Sequence, residues 1–107
     1  MSGVQKVKYK TRKLLKLEKN RYSILTNDLE HCFLCNQASV DIHEIFGGSN
    51  RRISMEDGFC VPLCRHHHRL ATDFIPLQRM LKMACQKKCE ETMSREEFIK
   101  RVGRNYL

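Results

Sequence analysis

What this 107-residue chain lacks narrows what it can be. No apolar run approaches the roughly 20 residues that a helix needs to cross a bilayer, so no segment reads as a membrane span. No signal peptide accompanies the six cysteines, which points them to a reducing interior rather than a disulfide framework. There is no internal repeat and no low-complexity segment. Acid is nearly missing from residues 1–21, where Glu18 stands alone against eight Lys or Arg, a local charge of +7. Size is short too: in a single domain this small a hydrophobic core by itself is marginal, and a structural metal is a natural supplement. The expectation is a soluble, intracellular, one-domain protein.

The charge that is present is uneven. Beyond residue 21 the chain holds 12 basic and 11 acidic groups, so nearly all of the formal +8 lies in the first 21 residues. An arm carrying Lys6, Lys8, Lys10, Arg12, Lys13 and Lys16 suits a phosphate backbone, because each neutralised phosphate releases counterions and makes affinity fall with salt. The first dozen residues read as a disordered tail in the free protein. Leu14, Leu15 and Leu17 mark where the arm packs or turns helical. The basic arm is therefore set at 1–21 and the folded domain at 22–107.

Four of the six cysteines and four of the five histidines fall between Cys32 and His68. Cys32-Phe-Leu-Cys35 can place two sulfurs on one Zn²⁺ at about 2.3 Å, and Cys64-Arg-His-His67 can complete a tetrahedron. If Cys64–His68 opens a helix, Cys64 and His67 share a face while His66, turned by roughly 100°, cannot join them. His68 looks out beside that face and is free for a second task. Cys60, inside the apolar run Phe59-Cys-Val-Pro-Leu63, reads as a small buried hydrophobe. The structural zinc set is Cys32, Cys35, Cys64 and His67.

The order of these pieces is a Cys-x2-Cys knuckle, a His-bearing strand, a glycine turn, a second strand ending in Leu-Cys, and a Cys-x2-His-His helix. It resembles the HNH endonucleases. HEIFGGSNRR at 43–52, followed by VPLCRHHH at 61–68, is similar to small bacteriophage and prophage HNH proteins, and the resemblance runs from about Lys16 to Leu107. It implies an α+β fold: a zinc-stabilised ββα-metal, treble-clef-like core over 30–73, a helical C-terminal extension over 76–103 and the basic N-terminal arm. It also implies a DNA endonuclease acting in recombination, repair or packaging, located in the cytoplasm of a bacterial host. DNA, and host or phage recombination proteins, are the partners it suggests.

The rest of the chain reads as follows. Tyr22–Thr26 is a short strand or extended lead-in, and residues 39–46 form the first hairpin strand, broken by Gly47-Gly48-Ser49-Asn50. Arg51 and Arg52 follow on an exposed loop, where they contact phosphate or sit in a solvated turn. Arg65 and Arg69 lie around the metal site. The second strand covers 59–63 and the metal-bearing helix runs to about 72. A longer helix begins near Pro76 and carries an apolar stripe of Leu77, Met80, Leu81, Ala84 and Cys85 to about residue 92. Ser94-Arg-Glu-Glu97 is a capping box that opens a last helix, with Phe98, Ile99 and Val102 inward and Gly103 at its end. The Met-rich helical half either buries itself against the zinc core or makes a homodimer.

The resemblance further implies one divalent ion, Mg²⁺ or Mn²⁺, against the scissile phosphate, with a neighbouring base that activates water. His43 and Glu44 fall at the positions that share ligand and base roles in the family, and His68 joins them from the helix. Either Glu44 is the base and His43 the ligand, or the roles are reversed; hard Mg²⁺ prefers oxygen, while a carboxylate is the weaker base at neutral pH. Adjacent strand residues point to opposite faces, so one of the two orients rather than touches the site. The family's second helical histidine falls at Thr72, beside Asp73, which can serve if the helix ends there. Two other classes remain open: a zinc-bearing DNA-binding module without catalysis, and a protein-interaction or inhibitor module on the same scaffold.

Overall fold

The computed structural model describes residues 11–107; Lys6, Lys8 and Lys10 of the arm lie outside them. Among these residues are five helices and one two-stranded antiparallel sheet. In chain order these are α1 (Arg12–Lys19), β1 (Val40–Glu44), α2 (Arg51–Asp57), β2 (Cys60–Cys64), α3 (Arg65–Asp73), α4 (Ile75–Cys89) and α5 (Arg95–Val102). A single 3-10 turn at Gly48–Asn50 leads into α2.

The hairpin pairs Val40 with Cys64 at one end and Glu44 with Cys60 at the other. Every residue of β2 is buried, as its unbroken apolar run requires. β1 is shorter than the 39–46 read from the sequence: past Glu44 the Ile45 amide still reaches the Phe59 carbonyl at 2.8 Å, but Ile45 and Phe46 are buried in the core outside the strand. There the buried Ser54 hydroxyl holds them, donating to the Phe46 carbonyl at 2.7 Å and accepting from the Phe46 amide at 3.1 Å. No strand forms over 22–26. That segment is irregular and pinned by the Ile24 amide on the Gly58 carbonyl and by the Tyr22 hydroxyl on the Glu56 carbonyl.

Arg51 and Arg52 do not sit on an exposed loop. They open α2, a helix the sequence reading did not contain, whose buried Ser54 and Met55 face the core. Gly58 ends it with φ 75°, and a Cβ there would lie 2.5 Å from the Tyr22 ring, so both backbone angle and space call for glycine.

The C-terminal half packs on the hairpin through aromatic rings. Phe46 lies 5.6 Å from Phe59 and 5.9 Å from Phe98, centroid to centroid, in edge-to-face contact. The Ser94–Glu97 capping box forms as read, and Gly103 closes α5 at φ 99°. Phe98 and Val102 are buried, whereas Ile99 is half-buried. α4 carries Pro76 in its first turn and stops at Cys89, short of residue 92. Its buried face is Leu81, Cys85, Gln86 and Cys89; Met80, placed on the inward stripe by periodicity, is exposed along with Phe74 and Ile75. None of the described helices is long and apolar enough to cross a membrane.

Candidate metal centre and the histidine pair beside it

Three local devices bring four metal-ligating side chains together. The 32–37 knuckle closes with the Cys32 amide on the Gln37 carbonyl at 2.7 Å and the Asn36 amide on the Cys32 carbonyl at 2.8 Å. Asn36 takes a left-handed φ of 65°, a conformation asparagine tolerates better than most residues. The Phe33 amide then donates to the Pro62 carbonyl at 2.8 Å, which moors the knuckle to β2. Finally, Cys64 ends β2 and caps α3, so that His67, in the first turn, points back beside it.

The ligand atoms of Cys32, Cys35, Cys64 and His67 all lie within 4.8 Å of one another. The Cys35 and Cys64 sulfurs are 3.7 Å apart, and His67 Nδ1 is 3.3 Å from the Cys64 sulfur and 3.6 Å from that of Cys32. Tetrahedral zinc with bonds of about 2.3 Å to sulfur and 2.0–2.1 Å to nitrogen requires edges of about 3.5–3.8 Å. The spacing therefore fits ligand edges around one ion. The set could hold a metal such as zinc.

Electrostatics agrees with that geometry. Burial raises the Cys32 thiol, but amide N–H groups of Cys64, Leu34 and Cys35 aimed at the sulfur outweigh it and bring the group down to about 6. Cys35 is held up despite the Gln37 amide, by burial and by the neighbouring Cys32 and Cys64 sulfurs. Crowded sulfurs of this kind are what a dication relieves. His66 lies outside the cluster with its ring against that of His67. Cys60 is fully buried against the Ser54 carbonyl, and burial pushes its thiol up to about 12.

Beside this cluster β1 and α3 bring a second group together. The His43 and His68 rings meet at 5.3 Å, and His68 Nδ1 lies 3.1 Å from an Asp41 carboxylate oxygen that also ion-pairs with Arg65 Nε at 3.2 Å. The hydrogen bond to His68 and then the Arg65 charge hold Asp41 below the usual carboxylate range. Burial, followed by the nearby His68, pushes His43 down to about 4, so its imidazole is neutral at physiological pH. Asp41 had no role in the sequence reading. The signal was available: residues two apart on a strand share a face, which pairs Asp41 with His43.

The same alternation sends Glu44 the other way. Its carboxylate accepts from Arg51 Nε at 2.8 Å and lies 2.9 Å from Arg21, and Arg51 in turn donates to Glu18 of α1. The structure therefore brings His43 and His68 together and leaves Glu44 in an ion-pair cluster across the sheet. Asp73, the exposed last residue of α3, makes no ion pair or hydrogen bond with either histidine, and Thr72 uses its hydroxyl on the His68 carbonyl at 3.0 Å. Of the basic residues assigned to DNA, Arg51 is tied up as described, Arg52 pairs with Glu56 at 3.1 Å and Arg65 with Asp41. Arg12, Lys13, Lys16 and Arg69 are exposed.

No protein-family model matches the chain, and neither the curated proteins nor the solved structures contain a match to it.

Proposed function

We propose that this chain is a zinc-stabilised, metal-dependent DNA endonuclease of the HNH type, in which β1, β2 and α3 make up the ββα-metal core. The observation that carries the reading is the Asp41–His43–His68 constellation: two histidines and an ionised carboxylate on a hairpin and helix that a neighbouring Cys3His cluster holds in register. A divalent ion bound there, Mg²⁺ or Mn²⁺, supplies charge stabilisation to the phosphate and its leaving oxygen. Asp41 fixes the His68 ring through Nδ1, so that Nε2 would be the nitrogen available to hold such an ion, the usual arrangement behind a ligating imidazole. His43, kept neutral by burial, has a lone pair free to accept the proton of the attacking water. Among the described residues only the Cys3His group gathers three or more ligand atoms within 4.8 Å, so an ion at the histidine pair would draw its remaining ligands from water and phosphate, as Mg²⁺ commonly does.

The test is plasmid nicking with Mg²⁺ or Mn²⁺. Cutting should be abolished by His43→Ala and strongly reduced by Asp41→Asn, with zinc content unchanged in both.

A second reading, a zinc-bearing DNA-binding module without catalysis, draws on Glu44 and Thr72. The first is committed to Arg21 and Arg51, and the second to a backbone carbonyl, so neither supplies a further ligand or base. A protein that binds DNA but cuts it with no metal selects this reading.

A further inference from the structure

The positive charge that the sequence concentrates in the arm is matched on the folded domain by a separate basic groove. Along α4, Ile75 and Lys82 each lie three and four residues from the adjacent pair Gln78 and Arg79, which groups the four on one side of the helix. The tail after α5 lies beside that face and leaves a groove of about 400 Å³ lined by Arg79, Lys82, Arg104, Asn105, Tyr106 and Leu107, with no Asp or Glu side chain on its wall. The tail does not hang free. Gln86, fully buried one turn beyond Lys82, donates to the Asn105 side chain at 2.8 Å and accepts from the Tyr106 amide at 2.7 Å. The Tyr106 ring is seated 5.4 Å from Phe46, and over it lie Lys82 Nζ at 5.3 Å and Arg104 Cζ at 5.8 Å. A cation over an aromatic face is attracted by the ring quadrupole, so the tyrosine holds two cations in place without neutralising them.

Their lack of a carboxylate partner among the described residues, which Arg12 and Arg69 share, leaves their charge available. Arg21, Arg51, Arg52, Arg65, Arg95 and Arg101 each have a carboxylate within 4.0 Å, whereas Arg79, Lys82 and Arg104 have none among the described residues. Two cations held over one ring, with exposed Arg79 on the same wall, suit a ligand that is itself a row of anions. The charge of Lys82 also bears on the His43 imidazole, though less than burial, His68 and Glu44 do.

Resting on the endonuclease reading, we propose that the Arg79–Lys82–Arg104 groove, with Tyr106 as its floor, grips the phosphate backbone of duplex DNA. Phosphate contacts of this kind position a duplex without reading its sequence. The groove should therefore contribute affinity and salt dependence and leave sequence preference untouched.

The experiment is fluorescence anisotropy of a labelled 25-base-pair duplex against the full chain over a range of KCl concentrations, without added Mg²⁺ or Mn²⁺. The Arg79→Gln/Arg104→Gln variant alters exposed side chains alone and should fold with normal zinc content. It is expected to bind at least tenfold more weakly at low salt, and the slope of log affinity against log salt should become shallower by about 1.8, near 0.9 for each lost phosphate contact. Tyr106→Leu, which keeps an apolar contact with Phe46 but removes the platform, should weaken binding in the same direction. Wild-type affinity and slope in Arg79→Gln/Arg104→Gln would overturn the groove. So would a failure of the wild-type chain to bind duplex at 50 mM KCl. A wild-type chain that binds through the groove yet never nicks plasmid removes the catalytic reading and leaves the groove standing. One that nicks while the double variant keeps its binding removes the groove and leaves the catalysis.

Discussion

His43 and Glu44 are consecutive residues of β1 whose side chains serve opposite faces of the hairpin: His43 meets the His68 ring, while Glu44 meets Arg21 and Arg51. The two substitutions should therefore separate. Glu44→Gln is expected to leave nicking largely intact and to cost about 1–3 kcal/mol of stability, because the carboxylate is only 12% exposed and its loss leaves two guanidinium groups short of a partner. His43→Ala should do the reverse. Urea melts and plasmid nicking, run side by side, read the difference; abolished cutting with an unchanged urea midpoint in Glu44→Gln would return that residue to the catalytic set.

The Cys3His cluster should be part of the folding energy of so small a domain. One zinc per chain is expected on elemental analysis. Chelation, or Cys35→Ser, should remove the metal and unfold the domain together, as seen in far-UV circular dichroism. A metal-free chain that keeps its native spectrum excludes a structural ion.

Alkaline pH should destabilise the fold through Cys60. Its thiol ordinarily ionises near 9, but burial, reinforced by the charge of Glu44, raises it to about 12 in the folded chain. Between those values the unfolded state has lost a proton that the folded state keeps, so stability falls as pH rises from 9 towards 12. Tyr22, raised from 10 by burial and by Asp57, adds to the decline in the same direction. Urea melts from pH 7 to 10.5 should show the loss, and it should be smaller in Cys60→Ala. Equal pH slopes in the two proteins would mean that Cys60 does not titrate on unfolding in this window.

Deleting residues 1–10 removes Lys6, Lys8 and Lys10 but spares the Thr11 cap that accepts from the Leu14 amide, so α1 and its Glu18 contact to Arg51 should persist. Non-specific DNA affinity should fall, with a salt slope shallower by up to about 0.9 per lost contact. An unchanged slope makes the arm a passive tail and leaves the α4 groove to carry the electrostatics.

Features written in short-range spacing were legible in the sequence. The two Cys-x2 pairs specify four side chains that do converge, and Ser94 and Glu97 specify a helix start. Harder to see was anything decided by partners far along the chain. α2 is seven residues long, under two full turns, too short to show a hydrophobic period, and its identity rests on Ser54 and Phe46 holding each other. Arg51 looks like a solvent-facing cation until Glu18, 33 residues earlier, and Glu44 are folded against it. Counting charge along the chain put the basic surface in the arm, because the count cannot know that Arg79, Lys82 and Arg104 are brought to one groove wall. Asp41 was missed for a different reason. A family pattern drew the eye to neighbours in sequence, where a strand joins alternate residues.

His67 and His68 are also neighbours, one in the Cys3His cluster and the other against His43 and Asp41. Their directions differ by the angle between successive helical residues, about 100°. Fixing His67 on an ion thus sets the rotational phase of α3, and that phase aims His68. The two groups share one helix as gears share a shaft: an insertion of a single residue between His67 and His68 would leave every side chain present and turn His68 out of mesh.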